Sequence, residues 1–584
     1  MKRKLLLLAC LLPLMAQADI YQDPKTKVNY EYTPGQKEAC VKGGAAVGKD
    51  SDDDGLEGII TILPSFTVEG NEYVVTSIVD RAFSLNKYVE SINIPSTVKV
   101  IGGLAFEHCI RLKNISLAEG VETLGDEVFS GCESLNSLTI PSTLKEIGSY
   151  AFYECESLES MFIPSTVQRI GYGLFCACKG LTTVTISDGV AIPNAEGLFS
   201  GCSNLTSVTL PSNFAAIAPA MFTWCKKLEK FIIPEGVMEI GEMAFAYCSA
   251  LSNITIPNSV NSIGESAFNG CSSLKDIALP ENLTSIGANS FCYCLSLKSI
   301  VIPDKVTTIE RYAFDNCTGL TSVTLGNSVE SIGDYAFSGC SGLSSITFPN
   351  SVTCIGDNAF SGCSGLTSVT VPASVMSIGR SAFYNCSGLT KVFYNATNCI
   401  STGYSWFRDC LSLTTLDIGD NVQTIPNGAF SECSGLTSVT IPNSVTSIGS
   451  SAFRNCSGLT RVTLGNSVAE IGGFAFTGCK SLNRVISLIC DPFVIEQSVF
   501  ALADNDYSIP EDAILYVPTG SKSKYEATPY WNAFSNIIEF DVAGITPISR
   551  SDENEDKYFS LSGQRIIAPT KGVTLINGRK VLMR

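Results

Sequence analysis

Seventeen cysteines recur three residues after a phenylalanine: Cys109, Cys132, Cys155, Cys178, Cys202, Cys225, Cys248, Cys271, Cys294, Cys317, Cys340, Cys363, Cys386, Cys410, Cys433, Cys456 and Cys479. Thiols in such a series could cross-link, bind a metal or act as nucleophiles. Metal binding is disfavoured, because the chain has no C-x-x-C pair and a single histidine, His108. Any Ser–His or Cys–His nucleophile would have to use that residue. Its surroundings, Phe106-Glu107-His108-Cys109, look like an ordinary repeat turn, so His108 reads as a surface residue. Disulfides suit an exported protein, yet an odd number of equivalent positions cannot pair completely. The regular spacing therefore favours buried thiols lining a turn, with some disulfides as the alternative. Seven further cysteines lie off the series: Cys10, Cys40, Cys176, Cys292, Cys354, Cys399 and Cys490.

Carboxylates offer little more. Asp50-Ser51-Asp52-Asp53-Asp54-Gly55 mimics the start of a calcium loop, but the twelfth position is Thr61, where a bidentate glutamate is needed. A solvated acidic loop is the expected reading. Acidic pairs on neighbouring repeats are the remaining route to catalysis; no enzyme, metal or cofactor is expected. A net charge of −17 argues against nucleic-acid binding, which needs concentrated Lys and Arg.

These cysteines hang on a longer ladder. Phe83, Phe106 and Phe129 open a series that runs to Phe500 in steps of 23 residues, three of them 24. A fixed period of this length marks a solenoid, in which each coil buries its apolar side only against its neighbours. Phe268 with Cys271, Phe291 with Cys294, Phe314 with Cys317 and Phe337 with Cys340 are predicted to be central rungs. In one clean repeat the apolar positions are Cys433, Leu436, Val439, Ile441, Val445, Ile448 and Ala452. The part from Leu436 to Ile441 reads as a strand closed by Pro442. Gly449 is expected at a tight turn with positive φ, and 450–456 at most one short helical or 3₁₀ turn. Each coil is thus predicted to add one strand to a parallel sheet.

The stretch Leu436 to Cys456, LTSVTIPNSVTSIGSSAFRNC, resembles the BspA-type subfamily of bacterial leucine-rich-repeat surface proteins, and about eighteen copies carry the pattern. The resemblance implies a curved right-handed solenoid, with a parallel β-sheet on one face and short turns or 3₁₀ helices on the other. It also implies a binding role without catalytic residues, with partners such as fibronectin, fibrinogen, host-cell receptors or other bacteria.

Residues 1–18 have a basic start, an apolar run and Ala16-Gln17-Ala18, and read as a secretory signal. Export to the cell surface or the medium is expected, with the periplasm as a further destination. No later stretch has the apolar length to span a bilayer as a helix. Residues 19–75 are expected to form an N-terminal β cap, 76–507 the repeats, and 508–546 a closing coil. Residues 547–584 read as a charged linker and a short β tail, which is similar to the C-terminal sorting domains of type IX secretion substrates.

Binding is expected on the outward strand face. Threonine is the background of one outward row, and it stabilises an exposed strand. Phe162, Ile232, Val301 and Phe393 break that background as candidate anchors. In one irregular coil, Phe393, Tyr394, Tyr404 and Trp406 could form an aromatic patch suited to glycan stacking or a protein contact, the alternative being a variant coil that bends the solenoid. A protein ligand is the first expectation; the other readings are a glycan, and a cell-envelope structural role without a host ligand.

Overall fold

The computed structural model describes residues 17–43, 56–397, 399–401 and 405–541, and tail strands at 558–559, 565–566, 572–576 and 579–583. The signal segment up to residue 16, the acidic Asp50–Gly55 loop and Tyr404 lie outside them. The chain divides into two compact units, 1–297 and 298–584, and each is a stack of parallel coils.

In the first unit, strands Asp19–Gln22, Asn29–Tyr32 and Glu38–Gly43 form an antiparallel meander. Its last strand pairs in parallel with Asn71–Ile78, which also makes a hairpin with Ser65–Val68. Tyr21 stacks on Phe66 at 4.5 Å, and the buried Tyr30 hydroxyl accepts from Leu63 N at 3.0 Å. This aromatic cluster closes an apolar coil end that water would otherwise meet. The cap feeds both strand ladders: Gly58–Thr61 pairs with Val89–Ile94, and Asn71–Ile78 with Val100–Ile101.

The coils follow one plan, with two strand ladders where the sequence led us to expect one. The longer strands, such as Ser160–Ile163 and Thr183–Ile186, pair in register. Two-residue strands, such as Glu146–Ile147 and Arg169–Ile170, form a second parallel ladder. Between them runs a third set of backbone bonds through the phenylalanine turn. In the second unit Tyr335 N, Phe337 N and Gly339 N donate to Asp357 O, Ala359 O and Ser361 O at 2.7–2.8 Å. The turn is not helical, because left-handed residues flank the phenylalanine two positions before and two after: Tyr335 at φ 56° and Gly339 at φ 68°.

Gly449 corrects an expectation. Its φ is not positive; a Cβ there would lie 2.5 Å from Asn427 N of the preceding coil. The left-handed positions of this coil are Ser451 and Asn455, at φ 58° and 60°. The glycine is set by how closely two coils approach, and the turn is made by residues with side chains.

The phenylalanines are buried and stack face to face. Ring centroids are 5.2–5.8 Å apart from Phe83 to Phe291 in the first unit and 4.9–5.5 Å apart from Phe314 to Phe500 in the second. The second unit ends on strands Ile514–Pro518 and Asn536–Phe540, joined through helix Lys522–Ala527 and a 3₁₀ turn at Trp531–Ala533. Trp531 and Phe534 cover Phe500, and Trp531 Nε1 donates to Phe493 O at 2.9 Å. The tail strands form a separate four-stranded antiparallel sheet.

Candidate functional site

The cysteine series is a hydrogen-bond ladder. Within each unit the thiols donate to the carbonyl of the phenylalanine one coil earlier, as Cys271 does to Phe245 O at 3.2 Å and Cys340 to Phe314 O at 3.2 Å. The ladder cysteines stand as thiols, essentially inaccessible to solvent. Burial pushes the Cys109, Cys363 and Cys456 thiols up to about 12, and that of Cys340 well above its ordinary value. A group so resistant to ionisation is a poor nucleophile, and here it closes a turn. Among the described residues no cluster of His, Cys, Asp and Glu could hold a metal. His108 is a half-buried left-handed turn residue at φ 51°; its ring lies where a Cβ on Gly131 would be, 2.2 Å from Nδ1.

The strand face is different. Alternation along each long strand sends one set of side chains into the core and the other outward. In the first unit Phe162 stands beside Thr185, and Ile232 beside Thr255, at 58% and 75% exposure. In the second, Val301 stands beside Thr324 at 60% exposure. Phe393 is half-buried between Thr370 and Asp417, with Lys391 Nζ 4.6 Å from its ring centroid. Where a hydroxyl follows the leading leucine it ties one coil to the last: Thr321 donates to Lys298 O and Thr390 to Thr367 O, both at 3.0 Å.

The aromatic patch is not formed as expected. Tyr394 and Trp406 are fully buried, 6.0 Å apart between ring centroids. Tyr394 follows Phe393 on the strand and so points inward where Phe393 points out. Trp406 directly precedes the ladder residue Phe407, in the inward place that Ala382 and Ala429 fill in other coils. The extra aromatic volume fills the core of a 24-residue coil, so neither ring is available to a sugar. The other irregular stretch, around Ile192 and Pro193, interrupts the short-strand ladder and borders a depression of about 480 Å³ with Phe214, Ile217 and Pro219.

Register also extends the outward row beyond the counted repeats: Ile486 lies beside Tyr516, and Tyr516 beside Ile538. The last two escaped the reading because the closing coil breaks the 23-residue count. Their signal was the alternation within Ile514–Pro518 and Asn536–Phe540.

The model of the BspA type leucine rich repeat region (6 copies) matches residues 76–196, 194–321, 307–437 and 400–505. The chain belongs to the BspA-type leucine-rich-repeat family. Solved structures similar to it include a leucine-rich repeat protein from Bacteroides ovatus, 28% identical over 79% of this chain and 92% of that one, with a TM-score of 0.34. A leucine rich cell surface protein from Faecalibacterium prausnitzii is 24% identical over 80% and 94%, at a TM-score of 0.24. The pneumococcal vaccine antigen PcpA is 19% identical over 90% and 99%, at a TM-score of 0.28. No curated protein matches the chain. Among the described residues no helix is long and apolar enough to cross a membrane.

Proposed function

We propose that this BspA-type protein is exported and works at the cell surface as an adhesin, holding a host matrix protein or another cell through its outward strand face. The observation that carries the reading is the exposure of Phe162, Ile232 and Val301 in an otherwise threonine-rich row. Large apolar groups held out on a rigid ladder lose little entropy on binding and supply the anchors that dominate protein interfaces. The backbone bonds between coils hold them in place. Burial of Tyr394 and Trp406 removes the support for a glycan site at that coil. The test is surface display on intact cells together with binding of the purified protein to immobilised fibronectin and fibrinogen. Saturable binding supports the adhesin; confinement to the periplasm with no binding points to an envelope role instead.

A further inference from the structure

The strand face of the second unit has a charge that the chain as a whole does not. The net charge is −17, yet the charged residues at outward positions of its long strands from Ser299 to Ile538 are Lys391, Arg461 and Arg484 against Asp417 alone. Arg461 and Arg484 are register partners on adjacent strands. Like charges directly opposite each other repel. Among the described residues neither guanidinium has a carboxylate within ion-pair distance. The carboxylate of Glu539, on the last strand Asn536–Phe540, accepts from Gly520 N and Lys522 N, each at 3.0 Å.

Beside the arginine pair runs an apolar strip. Ile486, Tyr516 and Ile538 are consecutive register partners, Ile538 is 38% exposed, and the Arg484 guanidinium lies 5.1 Å from the Tyr516 ring centroid. That stacking holds the fork over the aromatic face and leaves its N–H edge for an acceptor. We propose that Arg461, Arg484 and Tyr516, bordered by Ile486 and Ile538, receive an acidic polypeptide segment whose carboxylates lie beside an apolar side chain. Guanidinium forks match carboxylates bidentately, and the strip next to them takes the apolar neighbour. A sulfated polysaccharide fits less well, because it calls for a continuous track of cations, whereas the next outward cation, Lys391, is three coils away.

The inference deepens the strand-face reading and rests on it. Its test titrates the full-length protein with a capped hexapeptide of alternating glutamate and phenylalanine. Parallel arms use the glutamine analogue, a heparin oligosaccharide, and the Arg461→Gln/Arg484→Gln variant. The expected result is saturable binding of the acidic peptide, weakened about tenfold or more in the variant and by glutamine, with an unchanged urea midpoint. Equal binding by the variant or of the glutamine peptide overturns the proposal, as does a variant with a lowered urea midpoint, which assigns the arginines to the fold. Binding of heparin alone replaces the peptide with a sulfated glycan. A dimer in sedimentation that the variant abolishes replaces it with a second copy of this chain. If the acidic peptide binds as expected while fibronectin and fibrinogen do not, the adhesin reading falls and this site stands; the converse result removes the site alone.

Discussion

Cys340 is out of reach of solvent, and its thiol donates to Phe314 O at 3.2 Å. It fills a small apolar space and gives Phe314 O a second donor beside Cys317 N, which reaches the same carbonyl at 3.3 Å. Alanine in its place keeps the backbone bond from Cys317 N but removes the second donor and opens a small void. Cys340→Ala is therefore expected to cost about 1–3 kcal/mol in urea unfolding. Alkylation should be slow in the native protein and label most cysteines after unfolding without reductant; labelling that needs a reductant contradicts the thiol ladder. The pH dependence follows from the same burial. The Cys109, Cys363 and Cys456 thiols are pushed up to about 12 in the folded chain, while an unfolded thiol ionises near about 8.5. Unfolded chains lose these protons first, so the contribution is intact below about pH 8.5 and declines as pH rises towards 12. Urea midpoints measured from pH 7 to 10.5 should fall at the alkaline end; a flat profile contradicts the buried series.

Within one coil, the long strand was legible from the Leu436, Val439 and Ile441 spacing and from Pro442. The second ladder was not, because a strand as short as Ser447–Ile448 has no periodicity to read. Nor was the turn, since its left-handed positions hold Tyr335, Ser451 and Asn455 as well as glycines, and no single residue type marks them. The glycine was legible as a special position, though for the wrong physical reason. Gly356 shows the actual one: a Cβ would lie 2.6 Å from Asp334 N. Gly356→Ala should therefore destabilise by about 1–3 kcal/mol, like other overpacked sites. Gly236, at φ 91° with open space around its Cβ position, should respond to alanine through backbone strain alone, about 1 kcal/mol. Equal urea midpoints for Gly356→Ala and the parent would remove the close-approach argument. Of the candidate site, Phe162, Ile232 and Val301 were legible as breaks in the threonine row. Tyr394 and Trp406 were misplaced, because aromatic composition does not tell which side of a strand a ring takes.

At the scale of a whole unit, stability passes from coil to coil. Phe337 stacks on Phe314 at 5.2 Å and on Phe360 at 5.3 Å, so truncating it removes both contacts. Phe337→Ala should cost about 3–5 kcal/mol, felt as faster amide exchange in the neighbouring coils while the closing coil around Trp531 keeps its protection. Uniform loss of protection across the unit would contradict a nearest-neighbour stack. The same stacking carries a row of outward residues from coil to coil along a unit, which is why function is assigned to a face of the ladder and not to a pocket. The most direct test of that assignment is a binding titration of the purified protein against fibronectin and fibrinogen, beside a variant carrying Phe162→Ala, Ile232→Ala and Val301→Ala. The account predicts saturable binding by the parent and binding weakened about tenfold or more in the variant, with unchanged unfolding. Binding of equal strength in both proteins would contradict it, because the ligand would then be held somewhere other than these outward groups.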